Sequence, residues 1–518
     1  MKASSSCAVA GKMVPSTTAL LACTAAALLF SRLAAAQHDW ENTDALTKHP
    51  VFAIMGADAA ATAGVARRIG ATRKFPGNPL WNQDRDWEPR LDNGYPNVIH
   101  DESDPLGAWR MWYGASLWEY ATSADGIAWE KPDLGQFDLG HVNRDWARFG
   151  THNNVIMFGN GMGIYKDRHE IDPRARFKAF GGPSCFFGRG GGANNCTGNV
   201  QGVAVSPDGL FWYDPKNLSW PYTPGCPNDS CPHQKYDTHQ NLFWDARKNK
   251  YLAVTRDLKP FPWRSIAIAE SLDGEFAWDT TDAPPSVLQG TANEQPYSQI
   301  TFPYYGIYLG LVSVFDAEFA QTQGKVHVRL SWSLDAETWS WVDEGGLAGK
   351  DFIALGGAND KDAAKGGGDN PFDSHVIFAA AYPVKMPEDG SVRVYYMGGN
   401  GPHSGPRNSS FALATMRPDG FVSMTGSGTI RTVAIKCTGP TLIVTADVLE
   451  NGGSVRVGLT GTSSKGLKPS DAVPVTDSAT DHAVAFAAGK TLAGLVGQNV
   501  VLELVLDRVA VFTVGFKK

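Results

Sequence analysis

An all-β protein, a five-bladed β-propeller followed by a β-sandwich, is the fold class that this 518-residue sequence predicts. Three observations carry the prediction. A short turn motif recurs at blade-like intervals. Stretches rich in β-branched and aromatic residues precede its copies. Glycine and proline punctuate the chain throughout, and long helix-forming runs are scarce.

The turn reads Ser-x-Asp-Gly-x-x-Trp. It stands unchanged from Ser123 to Trp129 and from Ser206 to Trp212. It carries one extra residue between Ser271 and Trp278, and Ala336 replaces the glycine between Ser333 and Trp339. Pro418-Asp419-Gly420-Phe421 is a degenerate fifth copy, and successive copies lie about 60–85 residues apart. Asp-Gly makes a tight hairpin turn, because glycine accepts a positive φ and the aspartate carboxylate bonds back to the chain. The repeat tryptophans Trp129, Trp212, Trp278 and Trp339 are therefore assigned to packing between blades. Strand-turn-strand units repeated radially build a propeller. A helical solenoid would need amphipathic helices, and an array of β-sandwiches is the structural alternative.

The remaining segments follow from composition. Residues 1–36 read as a leader: Lys2 and Lys12, a short apolar core from Thr18 to Phe30, then Ala34-Ala35-Ala36 before Gln37. The apolar core is too short for a membrane span. Residues 37–74 form an N-terminal segment, 75–428 the propeller and 429–518 the sandwich, whose strands are read at 441–447, 454–459, 499–506 and 509–514. Export and a secreted location are expected, and the cysteines agree. Cys185 with Cys196 and Cys226 with Cys231 would close short disulfide loops, leaving Cys437 as a free thiol. Asn195, Asn217, Asn228 and Asn408 stand in N-glycosylation sequons. A net charge of -7 argues against nucleic acid as a partner. No cofactor and no metal are expected, since no paired His–carboxylate spacing stands out.

The segment Tyr95-Pro-Asn-Val-Ile99, then Trp109-Arg-Met-Trp-Tyr-Gly114, then the first turn with Trp129, resembles the opening blade of the five-bladed propeller glycosidases. That superfamily includes invertases, fructan hydrolases and arabinanases, and the tail is similar to the sandwich that follows the propeller in invertase-like members. The invertase-type Asn-Asp-Pro-Asn motif, an Arg-Asp-Pro triplet and a Glu-Cys pair are absent. The resemblance implies acidic residues at the starts of inner strands, pointing into an axial pocket that binds carbohydrate.

Glycoside cleavage needs two carboxyl groups, one protonated and one ionised, on either side of the scissile bond. Acids just before an inner strand are Asp92, Asp237, Glu294 and Asp373. An aspartate there also serves as a turn former, so recurrence from blade to blade is what selects Asp92, Asp237 and Glu294. Asp92 is assigned as nucleophile or base and Asp237 as the orienting acid. Glu294 is assigned as proton donor, with Tyr297, Tyr304 and Tyr305 expected to desolvate it. Trp87, Asn93, His152, His239, Arg256, Asp373 and His375 are assigned to substrate binding, and Trp81, Trp118 and Trp263 are further stacking candidates. The leading reading is a glycoside hydrolase. A non-catalytic glycan-binding propeller is the alternative, as is a sialidase-type enzyme with an arginine set drawn from Arg90, Arg110, Arg256 and Arg329 and a tyrosine nucleophile.

Overall fold

The computed structural model describes residues 40–55, 64–88, 91–115, 117–141, 143–185, 202–212, 238–257, 263–274, 286–317, 324–343, 350–357, 370–450, 452–461 and 465–518. Among them the chain is all-β, and the helical pieces are short 3-10 turns. The leader, Asp237, Trp278, three of the four loop cysteines and three of the four sequon asparagines lie outside the described residues.

Five antiparallel meanders follow one another, each running outward from an inner strand. Blade 1 comprises Asn97–His100, Trp109–Gly114, Leu117–Ser123 and Trp129–Glu130. Blade 2 comprises Val155–Lys166, Phe177–Cys185 and Gly202–Ser206. Blade 3 comprises Asn241–Asp245, Lys250–Asp257, Ser265–Ser271 and Ser286–Gln289. Blade 4 comprises Glu294–Tyr304, Ile307–Asp316, Val326–Ser333 and Trp339–Trp341. Blade 5 comprises Val376–Ala379, Val392–Gly399 and Ser409–Met416. Its outer edge is completed by Arg73–Lys74 and Trp81–Asn82 from the start of the chain. Asn97 then bridges Ala381 in parallel, joining the inner strands of blades 1 and 5.

Side-chain amides stitch neighbouring inner strands together. Asn97 donates to the Met162 carbonyl and accepts from the Ile164 N–H, and Asn241 makes the same paired contact with Thr301. Blades 2 and 3 approach so closely that a Cβ at Gly163 would stand 2.1 Å from the Gln240 carbonyl oxygen, which excludes any other residue there. Buried Tyr382 sends its hydroxyl from blade 5 to the Leu242 carbonyl of blade 3, with Tyr165 beside it, and together they tie those blades to each other.

The recurring turn is the staple between blades. In the turn at 123–129, Ser123 Oγ accepts from the Gly126 N–H, Asp125 Oδ1 accepts from the N–H groups of Ile127 and Ala128, and the Trp129 indole donates to the Gly126 carbonyl. The turns at 206–212 and 333–339 repeat these bonds. Each turn then rests on the blade before it. Tyr395 of blade 5 donates to the Gly126 carbonyl, Trp112 of blade 1 donates to the Gly209 carbonyl, and Arg247 of blade 3 donates to the Leu334 carbonyl. Trp212 and Trp339 are buried and Trp129 is half-buried, as packing residues should be.

The fifth copy departs from the pattern for a physical reason. After Ser409–Met416 the chain has no fourth strand to form, because the N-terminal strands occupy that edge. It leaves through Pro418-Asp419-Gly420-Phe421 into Val422–Lys436, a strand that runs across position 429 and belongs to a seven-stranded sheet. Asn499–Lys517 is the spine of that sheet, pairing with Val422–Lys436, Thr441–Val448, Ser454–Leu459 and the N-terminal strand Leu46–Pro50. Val65–Ile69, also N-terminal, pairs with Val422–Lys436. Residues 46–69 therefore supply strands to the C-terminal sheet, and Trp40 packs against Phe302, Tyr304 and Phe421 at its junction with blade 4. Cys437 is buried and free.

A buried charge pair fixes that junction. Lys48 donates to Asp419 at 2.7 Å with both side chains almost fully buried, and Asp419 also accepts from Tyr305, Thr445 and Thr513. Asp419→Asn removes one charge and leaves Lys48 with only the partly exposed Asp481, 2.6 Å away. The expected cost is about 3 kcal/mol, the lower end for breaking a buried pair, and a denaturation midpoint close to that of the native chain would contradict it. Ala336, at φ 65, pays for a left-handed conformation with a Cβ that glycine lacks. Ala336→Gly is expected to raise stability by about 0.5 kcal/mol after the added chain entropy is counted, and calorimetric melting checks the sign.

Candidate active site at the propeller axis

The site is built around the bend that leads into the inner strand of blade 1, against the loop that carries Arg407. Residues 92–95 lead into the inner strand of blade 1 through a sharp bend, with Asp92, Gly94 and Tyr95 at φ 52, 64 and 33. Aspartate and glycine tolerate this region, whereas a tyrosine there is an outlier held by its surroundings. The bend turns Asp92, Asn93 and Tyr95 toward blade 5. There Arg407 sends Nη2 to Asp92 Oδ1 at 2.6 Å and to Asn93 Oδ1 at 2.8 Å. Its Nη1 donates to the carbonyls of Pro402 and His403, so one buried guanidinium fixes both the acid and the loop that brings it. The Asp92 side chain stays 41% exposed, so its carboxylate is open to solvent.

Deeper in, Asn93 Nδ2 donates to the Tyr95 hydroxyl at 2.7 Å, and the Tyr95 ring lies 5.4 Å from that of His239. Tyr297, on the inner strand of blade 4, is the centre of the group. Its ring lies 4.9 Å from His403 and 5.4 Å from Phe378, and the Arg256 and Arg264 guanidiniums lie 4.7 and 5.1 Å from its centroid. The Thr238 hydroxyl holds the Tyr297 carbonyl at 2.7 Å, and Arg264 donates to Gln295 at 2.7 Å. A strand irregularity between Pro296 and Ser298 sets the orientation of Tyr297.

Burial decides the electrostatics. It pushes His239 down to about 3, so that imidazole is neutral and accepts or donates without charge. It raises the Tyr95 hydroxyl well above the usual tyrosine range, helped by the neighbouring Tyr297 and Asp92. Burial, and then the charge of Arg256, lowers Arg264. Among the described residues no group of three or more His, Cys, Asp or Glu is placed to hold a metal ion.

Of the residues assigned from the sequence, the structure brings together Asp92, Asn93, His239 and Arg256. Asp237 lies outside the described residues, next to Thr238. Glu294 stands in a different cluster, ion-paired with Arg329 at 2.9 Å; Asp351 lies 3.7 Å from Arg329 and bonds His327. The aromatic lining expected around it is not there: Tyr304 and Tyr305 sit at the far end of the 11-residue strand, beside Asp419. His152 is a surface residue paired with Asp133, its side chain 84% exposed, so it is not gathered with the others. Asp373 is spent on Lys74 at 2.6 Å and Tyr396 at 2.9 Å, an ion pair inside blade 5. His375 is fully buried with Nδ1 against Ser374. Trp87 donates to Asn154 and packs edge-on against Phe149, and Trp81 stacks on Phe411 at 4.2 Å, so both brace the fold. Trp118 is buried with its indole on the Gly159 carbonyl, while Trp263 is exposed. Of the arginines considered for an acidic sugar, Arg110 pairs with Asp104 and Arg329 with Glu294.

Sequence reasoning missed Arg264, Arg407, His403, Tyr95 and Tyr297. The only local signal was the Gly-Pro-rich stretch around His403 and Arg407, which marks a loop and not a role. It also missed a buried acid pair behind the site. Glu88 and Glu119 both reach the Tyr113 hydroxyl, at 3.0 and 3.2 Å, and Lys131 holds Glu88 at 2.7 Å.

No family model matches this chain, and no curated protein matches it. Among solved structures, it is similar to an N-acetylgalactosamine deacetylase from F. plautii, at 15% identity over 66% of this chain and 95% of that one, with a TM-score of 0.41. An exo-inulinase from Aspergillus awamori gives 12% identity, 84% and 98% coverage and a TM-score of 0.38. An endo-1,5-alpha-L-arabinanase from Thermotoga petrophila RKU-1 gives 12% identity, 82% and 99% coverage and a TM-score of 0.36. These superpositions are loose.

The Glu88–Glu119 pair sets a pH dependence. Burial, followed by the nearby Glu88 charge, raises Glu119 well above its ordinary value of 4.5. A carboxyl raised in the fold contributes fully below the unfolded value, and the contribution is lost as pH rises through the folded one. Glu119→Gln keeps a donor toward Glu88 without the titration. Its melting temperature is therefore expected to fall less than that of the native chain between pH 5 and pH 8; parallel falls would show that the pair does not titrate there.

Proposed function

We propose that this chain is an exported glycoside hydrolase acting on an oligo- or polysaccharide in the axial pocket. The observation that carries the reading is the placement of Asp92: a carboxylate fixed on one side by Arg407, with its side chain 41% exposed. Around it, the Tyr95 hydroxyl and the neutral His239 ring offer donors and acceptors of the kind that sugar hydroxyls need. Export rests on the leader pattern of residues 1–36 and on the sequons.

In this reading Asp92 is the base or nucleophile, and its bond to Arg407 holds the oxygen that does not attack. Asp237, one residue before Thr238, supplies the second carboxyl that glycoside cleavage requires. Glu294, committed to Arg329 on the rim, is left to position outer sugar units. The acid–base pair acts on the glycosidic oxygen and an incoming water, and whether configuration is retained follows from the separation of the two carboxyl groups.

A panel of neutral and acidic glycans, with new reducing ends measured, tests the reading. Asp92→Asn preserves the shape and the Arg407 contact but removes the attacking charge. It is expected to lower kcat/KM by at least about 100-fold at unchanged melting temperature. Glu294→Gln is expected to act mainly through KM, with kcat lowered by less than about tenfold, since general acid–base catalysis is worth more than that. Near-native turnover by Asp92→Asn would refute the assignment, and a large loss of kcat in Glu294→Gln would return the proton-donor role to that residue.

A further inference from the structure

We infer that the axial pocket selects a carbohydrate bearing an anionic group, a carboxylate or a sulfate, and that Arg264 with Arg256 receives it beside Tyr297. The inference rests on the pocket assigned above and adds the class of its substrate.

Three observations carry it. Two guanidiniums stand over one aromatic ring, 4.7 and 5.1 Å from the Tyr297 centroid, so like charges are held close together in a partly buried place. Arg264 rests also on Phe315, at 4.8 Å, and its one hydrogen-bond acceptor is the neutral amide of Gln295. Its Nε is buried with no acceptor at all. A guanidinium carries five N–H donors in a planar fork, and that fork matches a carboxylate or a sulfate.

The contrast within the same molecule is what separates a binding role from a packing one. Arg110 is buried and meets Asp104, Arg329 is buried and meets Glu294, and Arg407 is buried and meets Asp92. Among the described residues no carboxylate approaches Arg264 within ion-pair distance. The pocket's described carboxylate, Asp92, is already taken by Arg407. A desolvated cation left without its counter-charge is costly, and the fold avoids that cost at Arg110, Arg329 and Arg407. An anionic ligand seated against Tyr297 would supply the missing charge, and the neutral His239 and the Tyr95 hydroxyl would then face its ring hydroxyls.

The test measures binding in the full-length Asp92→Asn chain, where turnover does not interfere. Calorimetric titrations compare uronate-terminated, sialate-terminated and sulfate-bearing oligosaccharides with their neutral counterparts. One anionic class is expected to bind at least about tenfold more tightly than its counterpart, with the tightest arm telling carboxylate from sulfate. Adding Arg264→Gln is expected to weaken that binding on the order of 10- to 100-fold while leaving the neutral glycan unchanged. Arg148→Gln, at a surface position 63% exposed, is expected to change neither and controls for net charge. Should Arg264→Gln fail to fold, Arg264→Lys keeps the charge without the fork, and a partial loss is expected. Equal affinity for anionic and neutral glycans, no binding by any anionic glycan, or indifference to the Arg264 substitution would each overturn the inference. Hydrolysis of neutral glycans without an anionic preference would sink this inference and leave the hydrolase reading standing. An Arg264-dependent anionic preference in a native chain that cleaves nothing would support the inference and sink the hydrolase reading.

Discussion

The last blade of the ring is completed by the beginning of the chain, and the site depends on that closure. Ser409–Met416 would be an exposed edge of unpaired backbone groups without Arg73–Lys74 and Trp81–Asn82 alongside it. The strands that close the ring also deliver residues 91–95 to the axis, directly against the loop at 402–407. The bond between Arg407 and Asp92 spans 315 residues of sequence, yet it is a local consequence of closure. Loosening the outer strand of blade 5 would therefore displace the carboxylate and its arginine together.

The other blade boundaries are held by repeated small devices. Each described staple turn rests on the preceding blade, and a tyrosine from one blade reaches the hairpin aspartate of the blade before it. Tyr251 bonds Asp167 across the boundary of blades 2 and 3, and Tyr308 bonds Asp245 across that of blades 3 and 4. Burial raises both hydroxyls well above the tyrosine range, so they remain donors at any physiological pH. Hydroxyls and carboxylates paired in this way satisfy buried polar groups while fixing the rotation between sheets. The axial pocket inherits its shape from those rotations, because its residues come from blades 1, 3, 4 and 5.

What the sequence made legible follows from which features are local. The turn at 123–129 closes on itself through Ser123, Asp125, Gly126 and Trp129, so its signature is written in consecutive residues and its copies announce the blades. That Asp92, Asn93 and His239 come together was legible for a related reason: the start of an inner strand is a position that can be counted along the chain. The same counting selected Asp373 and Glu294, which the structure pairs with Lys74 and Arg329. Direction at a strand start depends on the partner across the next blade, and Lys74 draws one acid away while Arg329 draws the other. Arg264, His403 and Arg407 were illegible because each sits outside the inner strands and reaches the site only through packing between blades. The N-terminal strands at 46–50 and 65–69 were illegible too, since their partners lie hundreds of residues away in the C-terminal sheet.

Two ways of treating buried charge separate the frame of this protein from its working end. At the junction with the C-terminal sheet, Lys48 and Asp419 cancel each other, and Tyr305, Thr445 and Thr513 take up the remaining lone pairs. Nothing there is left for a ligand to complete, and the arrangement fixes one domain on the other. Around Tyr297 the cations are gathered by aromatic faces, and among the described residues the side-chain hydrogen bond of Arg264 goes to the Gln295 amide. Aromatic rings attract a guanidinium without neutralising it, so they can hold the cation in place and leave its charge available. A cation held in this manner keeps its charge available while its geometry is already set, which is the condition under which a charged ligand gains most from binding.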